Sequence, residues 1–167
     1  MEYAKRKSPR ISYYDYSLPN YYFITICTHN KKCIFGKPNQ LNDCGEIARK
    51  SMEQISDIYP QVRVDKYTVM PNHVHAIIVL SGDMAVGIPH IIGQYKMSVT
   101  KHIRSMYPDM MVWQRSFHDH IIRNQKSYER IWEYIHNNPA KWEEDCFYNR
   151  DALSIMEREG QCPSPTE

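Results

Sequence analysis

The feature that most constrains this chain is the run MPNHVHAIIVL at residues 70–80, in which two histidines begin an apolar, β-branched segment. Successive side chains of a β-strand point to opposite faces of a sheet, so His73 and His75 are predicted to share one face. Val74 and Ala76 then lie on the other face, and both are apolar. The pattern predicts a strand that presents two imidazoles one pleat apart.

Two imidazoles in this arrangement indicate a metal site. Neutral imidazole is the commonest protein ligand for a divalent cation, and two ligands leave positions open for a third side chain and a substrate oxygen. A histidine-triad hydrolase would need a third histidine where Ile77 stands. A second pair, His118 and His120, flanks the charged Asp119, which fits an exposed edge strand better than a central one. That pair therefore ranks second as a metal site.

A helix with a tyrosine at its rim is predicted over residues 128–138. Its apolar positions recur at i, i+3, i+4 and i+7: Tyr128, Ile131, Trp132 and Ile135. Pro139 disfavours helical geometry at Asn138 and should end the helix. Tyr134 falls just outside the apolar stripe, and Asn138 lies one turn further along nearly the same line. Both side chains are predicted to face a cleft beside the sheet, although Tyr134 taken alone would be a rim tyrosine making one hydrogen bond.

With these residues in place, the chain resembles the REP-associated tyrosine transposases, a branch of the single-tyrosine HUH transposases that includes the insertion-sequence-200-like enzymes. Four blocks carry the resemblance in the family's order: residues 22–28 with 33–36, residues 69–75, residues 113–117 with 119–123, and residues 134–135 with 137–139. The family pattern leads us to expect an aromatic residue where this chain has His118.

The resemblance implies that His73 and His75 bind a divalent metal, Mg²⁺ or Mn²⁺. It also implies that Asn138 is a third, amide ligand and that Tyr134 is the nucleophile. A phenol is a poor nucleophile at neutral pH, so it needs a metal that polarises the scissile phosphate. Its attack would release a 3′-hydroxyl and leave a 5′-phosphotyrosine, which can be resealed to another 3′ end without ATP. The implied substrate is single-stranded DNA with a REP-like hairpin, bound by a monomer rather than a homodimer.

Two other functions stay open at this stage. A non-catalytic nucleic-acid-binding protein could keep the fold without the chemistry, although the intact His73, His75 and Tyr134 argue against it. A metal-dependent nuclease would use water as the nucleophile, and Tyr134 would then only pack.

Charge is unevenly distributed along the chain, whose net charge is +2. Residues 143–167 contain seven acidic residues and two arginines, a balance of −5 that leaves +7 for residues 1–142. A basic body favours a polyanionic partner such as DNA, although solvated cations are the commoner alternative. The candidate DNA-binding cations are Lys5, Arg6, Lys7, Arg10, Lys96, Lys101, Arg104, Arg115, Arg123 and Arg130.

The predicted elements follow the order β-α-β-β-α-β, with a final helix. This order predicts an α+β fold, a ferredoxin-like split β-α-β sandwich with one antiparallel sheet and an added C-terminal helix carrying Tyr134. Three segments are expected: a basic, tyrosine-containing arm at 1–20, a transposase domain at 21–142 and an acidic, disordered tail at 143–167. Strands are predicted at 21–28, 62–70, 73–80 and 117–122.

Two further helices are predicted. In the first, Asp43 and Glu46 form a capping-box-like pair. Its inward stripe is Ile47, Ser51, Ile55 and Ile58. The second begins at Pro89. Its inward residues are Ile92, Tyr95, Val99, Ile103 and Met106.

Targeting signals and disulfides are not indicated. No segment approaches the roughly 18 consecutive apolar residues of a membrane span, and the basic start lacks the apolar region of a signal peptide. The five cysteines show no Cys-x-x-Cys spacing, which fits reduced thiols and does not favour a structural zinc site. These features predict a cytoplasmic protein.

Overall fold

The computed structural model describes residues 11, 13–82 and 84–148. The strands are β1 (Asn20–Cys27), β2 (Gly36–Lys37), β3 (Gln40–Leu41), β4 (Val62–Met70), β5 (His73–Leu80) and β6 (His118–Ile122). The helices are α1 (Asp43–Glu53), α2 (Ile55–Ile58), α3 (Ile88–Met106) and α4 (Gln125–Asn137), with 3₁₀ segments at His29–Lys31 and Asn138–Glu144. None of the described helices combines the length and apolarity that crossing a membrane requires.

Four strands form one antiparallel sheet in the order β4-β5-β1-β6, so the histidine strand β5 is central and β6 is an edge. The turn at Pro71 and Asn72 joins β4 to β5, and both strands have the bounds that the sequence predicts. The predicted α+β architecture, with one antiparallel sheet and a C-terminal helix, is confirmed. The His118 and His120 pair lies on an edge strand, as expected.

The sheet separates two apolar layers. On one side, which we call the α3 face, alternate residues of β1 and β5 pack against α1 and α3: Tyr22, Ile24, Ile26, Val74, Ala76 and Ile78. On the other side, the α4 face, Ile77, Val79 and Ile122 pack against α4. The predicted stripe of α4 is confirmed, because Ile135 is buried there and Tyr128, Ile131 and Trp132 pack around it.

The first predicted helix differs from its expectation. Asn42, not Asp43, caps α1, since its Oδ1 accepts a hydrogen bond of 3.0 Å from the main-chain N of Gly45. The stripe is also wrong in part, because Ile58 is 64% exposed and α1 buries Cys44, Ala48 and Met52 beside Ser51. The cause is local, since α1 stops at Glu53 and α2 is a separate turn, so one helical period does not run through both.

The second predicted helix agrees more closely. Pro89 lies in the first turn of α3, and the first four of the five predicted inward residues are buried: Ile92, Tyr95, Val99 and Ile103. Met106 is a wrong prediction, since it is the last residue of α3 and is 44% exposed. A side chain at a helix end has no following turn to hold it against the core.

The two predicted terminal segments lie only partly within the described residues. Lys5, Arg6, Lys7 and Arg10 of the arm fall outside them, as do residues 149–167. Tyr16 is buried in the main core. At the other end the chain continues past residue 142 as a packed segment, in which Trp142, Phe147 and Tyr148 contact Cys33 and Met70.

Candidate metal centre and nucleophile

His73 and His75 lie at the start of β5 and share the α4 face, with ring centroids 4.4 Å apart. Their exposed fractions are 0% and 1%. Burial lowers the pKa of His73 to about 3 and that of His75 well below its ordinary value. Both rings are therefore neutral at neutral pH, which leaves one nitrogen lone pair on each for a cation.

The tautomer of His73 is set by Asn72, which is fully buried in the turn before β5. The Asn72 side-chain Nδ2 donates to the carbonyl oxygens of Lys31 and Phe147, at 3.1 and 2.8 Å, so its Oδ1 faces the ring. That oxygen lies 2.8 Å from His73 Nδ1 and can only accept, so Nδ1 carries the proton. His73 Nε2 is then an acceptor, and it is buried without a hydrogen-bond partner among the described residues.

His75 is oriented by a hydrogen bond to the neighbouring strand. Thr25 stands opposite His75 in the β1–β5 register, and its Oγ1 lies 2.8 Å from His75 Nδ1. The hydroxyl of Tyr134 lies 3.2 Å from His75 Nε2. The structure thus brings the predicted nucleophile on α4 to the predicted metal ligand on β5.

Tyr134 lies at the rim of α4 and is 40% exposed. Its ring packs edge-on against Phe23, with centroids 6.3 Å apart. Burial, together with the carboxylate of Asp145 at 3.5 Å, raises the pKa of Tyr134 to about 12. The group is a phenol at neutral pH, so its use as a nucleophile requires positive charge nearby.

Asn138 is buried at the end of α4, one turn after Tyr134. Its Nδ2 donates to Asp145 Oδ2, while its Oδ1 is buried without a partner among the described residues. Asp145 is a residue that the sequence did not indicate. Its side chain is fully buried, with Oδ2 lying 3.8 Å from His73 Nε2.

The donor set fits a divalent cation. Potential ligand atoms of His73, His75 and Asp145 all lie within 4.8 Å of one another. In the part of the chain that the structure describes, no lysine or arginine pairs with the Asp145 carboxylate, and the unpartnered Nε2 of His73 and Oδ1 of Asn138 lie beside it. Buried charge and buried acceptors without donors are costly unless a cation joins them.

The candidate cations of α3 lie on the far side of the sheet from this centre. Lys96 donates from Nζ to the carbonyl oxygen of Gln114 at 2.5 Å, so it holds the loop at residues 114–116. Burial lowers the pKa of Lys96. Arg104 donates from Nε to the carbonyl oxygen of Met110 at 3.1 Å. Lys101 and Arg115 are exposed.

Two other candidate cations lie nearer to the centre. Arg130 borders the same groove as Tyr134 and Asp145. Arg123 and Arg130 together border a second groove beside β6, with His120. His118 and His120 are exposed and do not join His73 and His75.

The sequence and the fold both match known proteins. The model of the family described as "Transposase IS200 like" matches residues 17–138. An "Uncharacterized protein" of Haemophilus influenzae is 38% identical over 167 aligned residues, covering 86% of this chain and 93% of the relative. A "Putative REP-associated tyrosine transposase" of the same species is 26% identical over 136 residues, covering 76% and 74%. The solved structure of a REP-associated tyrosine transposase bound to a REP hairpin superposes with a TM-score of 0.61 at 22% identity, covering 80% of this chain and 74% of that one.

Proposed function

The chain belongs to the IS200-like transposase family, and from that premise we propose that it cleaves and rejoins single-stranded DNA at hairpin sequences, with Tyr134 as the nucleophile. The observation that carries the proposal is the position of the Tyr134 hydroxyl. It lies 3.2 Å from His75 Nε2 and 3.5 Å from Asp145 Oδ2, at the open edge of a buried cluster of metal-ligating groups.

The metal would be held by His73, His75 and Asn138, as the family resemblance implies, and by the carboxylate of Asp145. When bound, a cation such as Mg²⁺ or Mn²⁺ polarises the scissile phosphate and offsets the charge that develops on it. The carboxylate and amide oxygens suit either Mg²⁺ or Mn²⁺.

The protein's own side chains orient the phenol. His75 and Asp145 lie on one side of its oxygen, and the ring of Phe23 holds the Tyr134 ring edge-on. In the cleavage step the phenol loses its proton, a bond forms from its oxygen to phosphorus, and the bond from phosphorus to the 3′-oxygen breaks. The released 3′-oxygen takes up a proton, and the reverse reaction with another 3′ end rejoins the strand.

Hairpin DNA is the substrate class we favour. The solved relative is bound to a REP hairpin, and residues 1–142 of this chain carry a net charge of +7. Phosphate contacts supply much of the affinity of proteins for nucleic acid. We propose that the monomer binds the hairpin and presents the adjoining single strand to Tyr134.

Tyr134→Phe tests the mechanism, because it keeps the ring and removes the nucleophilic oxygen. The variant should fold and bind hairpin DNA like the wild type, yet form no denaturation-resistant protein–DNA adduct in Mn²⁺. Tyr128→Phe is a matched control, since Tyr128 lies on the same helix and its hydroxyl binds Asp65 instead. That control should still form the adduct.

The other outcomes identify other functions. Cleavage by Tyr134→Phe at the wild-type rate would make water the nucleophile and the protein a nuclease. Wild-type protein that binds the hairpin and yields neither adduct nor free ends would be a non-catalytic binder.

A further inference from the structure

Helix α4 rests on the sheet through a small apolar contact. Within α4, all of which the structure describes, Ile135 is the only buried residue, and Ile131 and Trp132 are half-buried around it. Apolar packing is non-directional, so this contact alone does not fix the rotation of the helix about its own axis. That rotation decides how far Tyr134, at the rim of the helix, reaches toward β5.

Strand β4 has one extra residue where it faces α4. Val64 stands opposite Ile78 in the β4–β5 register. The next paired residue is Lys66, opposite Ile77, so Asp65 is a bulge with no partner of its own on β5. Consecutive side chains of a regular strand point to opposite faces, whereas here both Asp65 and Lys66 contact α4. The Asp65 contact lies near the start of the helix.

Lys66 contacts α4 at the turns on either side of Tyr134. Its Nζ lies 4.1 Å from the centroid of the Trp132 ring and 3.2 Å from His136 Nδ1. The Trp132 and His136 rings stack on each other, with centroids 5.1 Å apart. The ammonium donates to His136 and is attracted to the face of the indole. These contacts are directional, and their residues lie two positions before and two positions after Tyr134.

The contact with Lys66 and the nucleophile lie on opposite flanks of α4. At about 100° per residue, His136 and Tyr134 are displaced from the buried Ile135 by equal angles in opposite senses. Holding the His136 flank on β4 therefore sets the height of the Tyr134 flank above β5. A tyrosine oxygen lies roughly 8 Å from the helix axis, so a rotation of about 10° would move it by about 1 Å. Such a shift would break the hydrogen bond of 3.2 Å to His75 Nε2.

We propose that Lys66 is a positioning residue, which holds one flank of α4 on the β4 bulge and thereby places the Tyr134 hydroxyl at His75. It acts through the helix and not on the substrate. A misplacement of about 1 Å can lower a reaction rate about 100-fold, and because the apolar contact of Ile135 persists without Lys66, we expect a decrease of about tenfold. This inference rests on the proposed function and deepens it.

Lys66→Met tests the role, because it keeps the aliphatic stem and removes the ammonium. With hairpin DNA at saturating concentration and Mn²⁺ present, the rate of adduct formation should fall about tenfold. The Kd for the hairpin, measured by fluorescence anisotropy with a chelator present, should match the wild type. Lys66→Arg should restore most of the rate, since a guanidinium can also lie over Trp132 and donate to His136.

A second measurement needs neither metal nor DNA. The ring centroid of Tyr134 lies 5.2 Å from that of His75 and 6.3 Å from that of Phe23. Nuclear Overhauser effects between the Tyr134 ring and these two rings therefore report the position of the helix. They should weaken in Lys66→Met and return in Lys66→Arg.

Tyr67→Phe is the matched control, because Tyr67 is the next residue of β4 and its hydroxyl donates to Glu53 on α1, across the sheet from α4. It should change neither the rate nor the Overhauser effects, and an equal loss of rate in this variant would make the effect one of general destabilisation. Wild-type Overhauser effects in Lys66→Met, or a loss of rate that Lys66→Arg does not restore, would overturn the positioning role.

The binding data separate the remaining outcomes. A weaker Kd in Lys66→Met with the wild-type rate at saturation would make Lys66 a contact to DNA instead of a positioning residue. Wild-type protein that forms no adduct would contradict the proposed function, while the Overhauser effects would still show whether Lys66 sets the position of Tyr134.

Discussion

Replacing Asn72 with alanine should remove the hydrogen bonds that join His73 to the chain segment carrying Asp145. This buried amide makes three hydrogen bonds, to His73 Nδ1 on β5, to the carbonyl oxygen of Lys31 and to that of Phe147, two residues after Asp145. One side chain therefore fixes the tautomer of a proposed ligand and holds the chain segment that carries Asp145.

The size of the effect follows from what the substitution leaves unpaired. His73 Nδ1–H is fully buried, and losing its acceptor should cost about 2 kcal/mol, whereas the two carbonyl oxygens can be partly rehydrated at about 0.5–1 kcal/mol each. The free energy of unfolding should fall by about 3–4 kcal/mol, equivalent to a decrease in Tm of about 10 °C. Loss of the partner that orients a histidine ligand should weaken metal binding by about 10- to 100-fold.

Thermal unfolding measures the first quantity, and titration with Mn²⁺ followed by electron paramagnetic resonance measures the second. Met52→Ala is a control for destabilisation alone, because Met52 is fully buried in α1 on the α3 face and its truncation should cost about 2–5 kcal/mol. It should leave Mn²⁺ affinity unchanged. Wild-type Mn²⁺ affinity in folded Asn72→Ala, or an equal loss in Met52→Ala, would refute the positioning role.

Two further predictions concern the metal. His73→Ala and His75→Ala should each abolish cleavage while hairpin binding persists, whereas His118→Ala should cleave normally; the reverse pattern would assign the metal to the edge-strand pair. Mn²⁺ at 100 times its Kd should stabilise the wild type by about 2.7 kcal/mol in thermal unfolding. At the same Mn²⁺ concentration Asp145→Asn should lose most of that stabilisation. Asn138→Ala should reach the wild-type stabilisation only at a higher Mn²⁺ concentration. Undiminished stabilisation of Asp145→Asn would show that the carboxylate is not a metal ligand.

The parts of this fold that could be predicted are those in which one local pattern repeats without interruption. The bounds of β4 and β5 follow from their apolar runs and from the two-residue turn at Pro71 and Asn72. The end of α4 follows from Pro139, and the position of Tyr134 beside the apolar stripe follows from helical periodicity. Where the period breaks, as between α1 and α2, the predicted stripe fails and Ile58 is exposed.

Asp145 could not be predicted on the same grounds. It follows a 3₁₀ segment with no helical period, in an acidic stretch whose composition resembles a solvated tail. Its burial depends on contacts from distant parts of the chain, namely Asn72 through Phe147 and Met70 through Trp142. The aromatic residues that follow Pro139 are the available signal that the segment after α4 packs against the core. They do not specify which of its acidic residues becomes buried.

The antiparallel register explains how a strand buried on both faces can still supply metal ligands. Every residue of β5 is buried, and a buried imidazole needs partners for both ring nitrogens. Thr25 opposite His75 and Asn72 beside His73 take up the two Nδ1 atoms within the sheet and its turn. Both Nε2 atoms thereby lie on the side of Tyr134 and Asp145, and that of His73 is an acceptor because Asn72 Oδ1 fixes the proton on Nδ1. The hydrogen bond from His73 Nδ1 to Asn72 thus also selects the tautomer of His73 that metal binding requires, and the proposed chemistry needs no departure from a well-packed core.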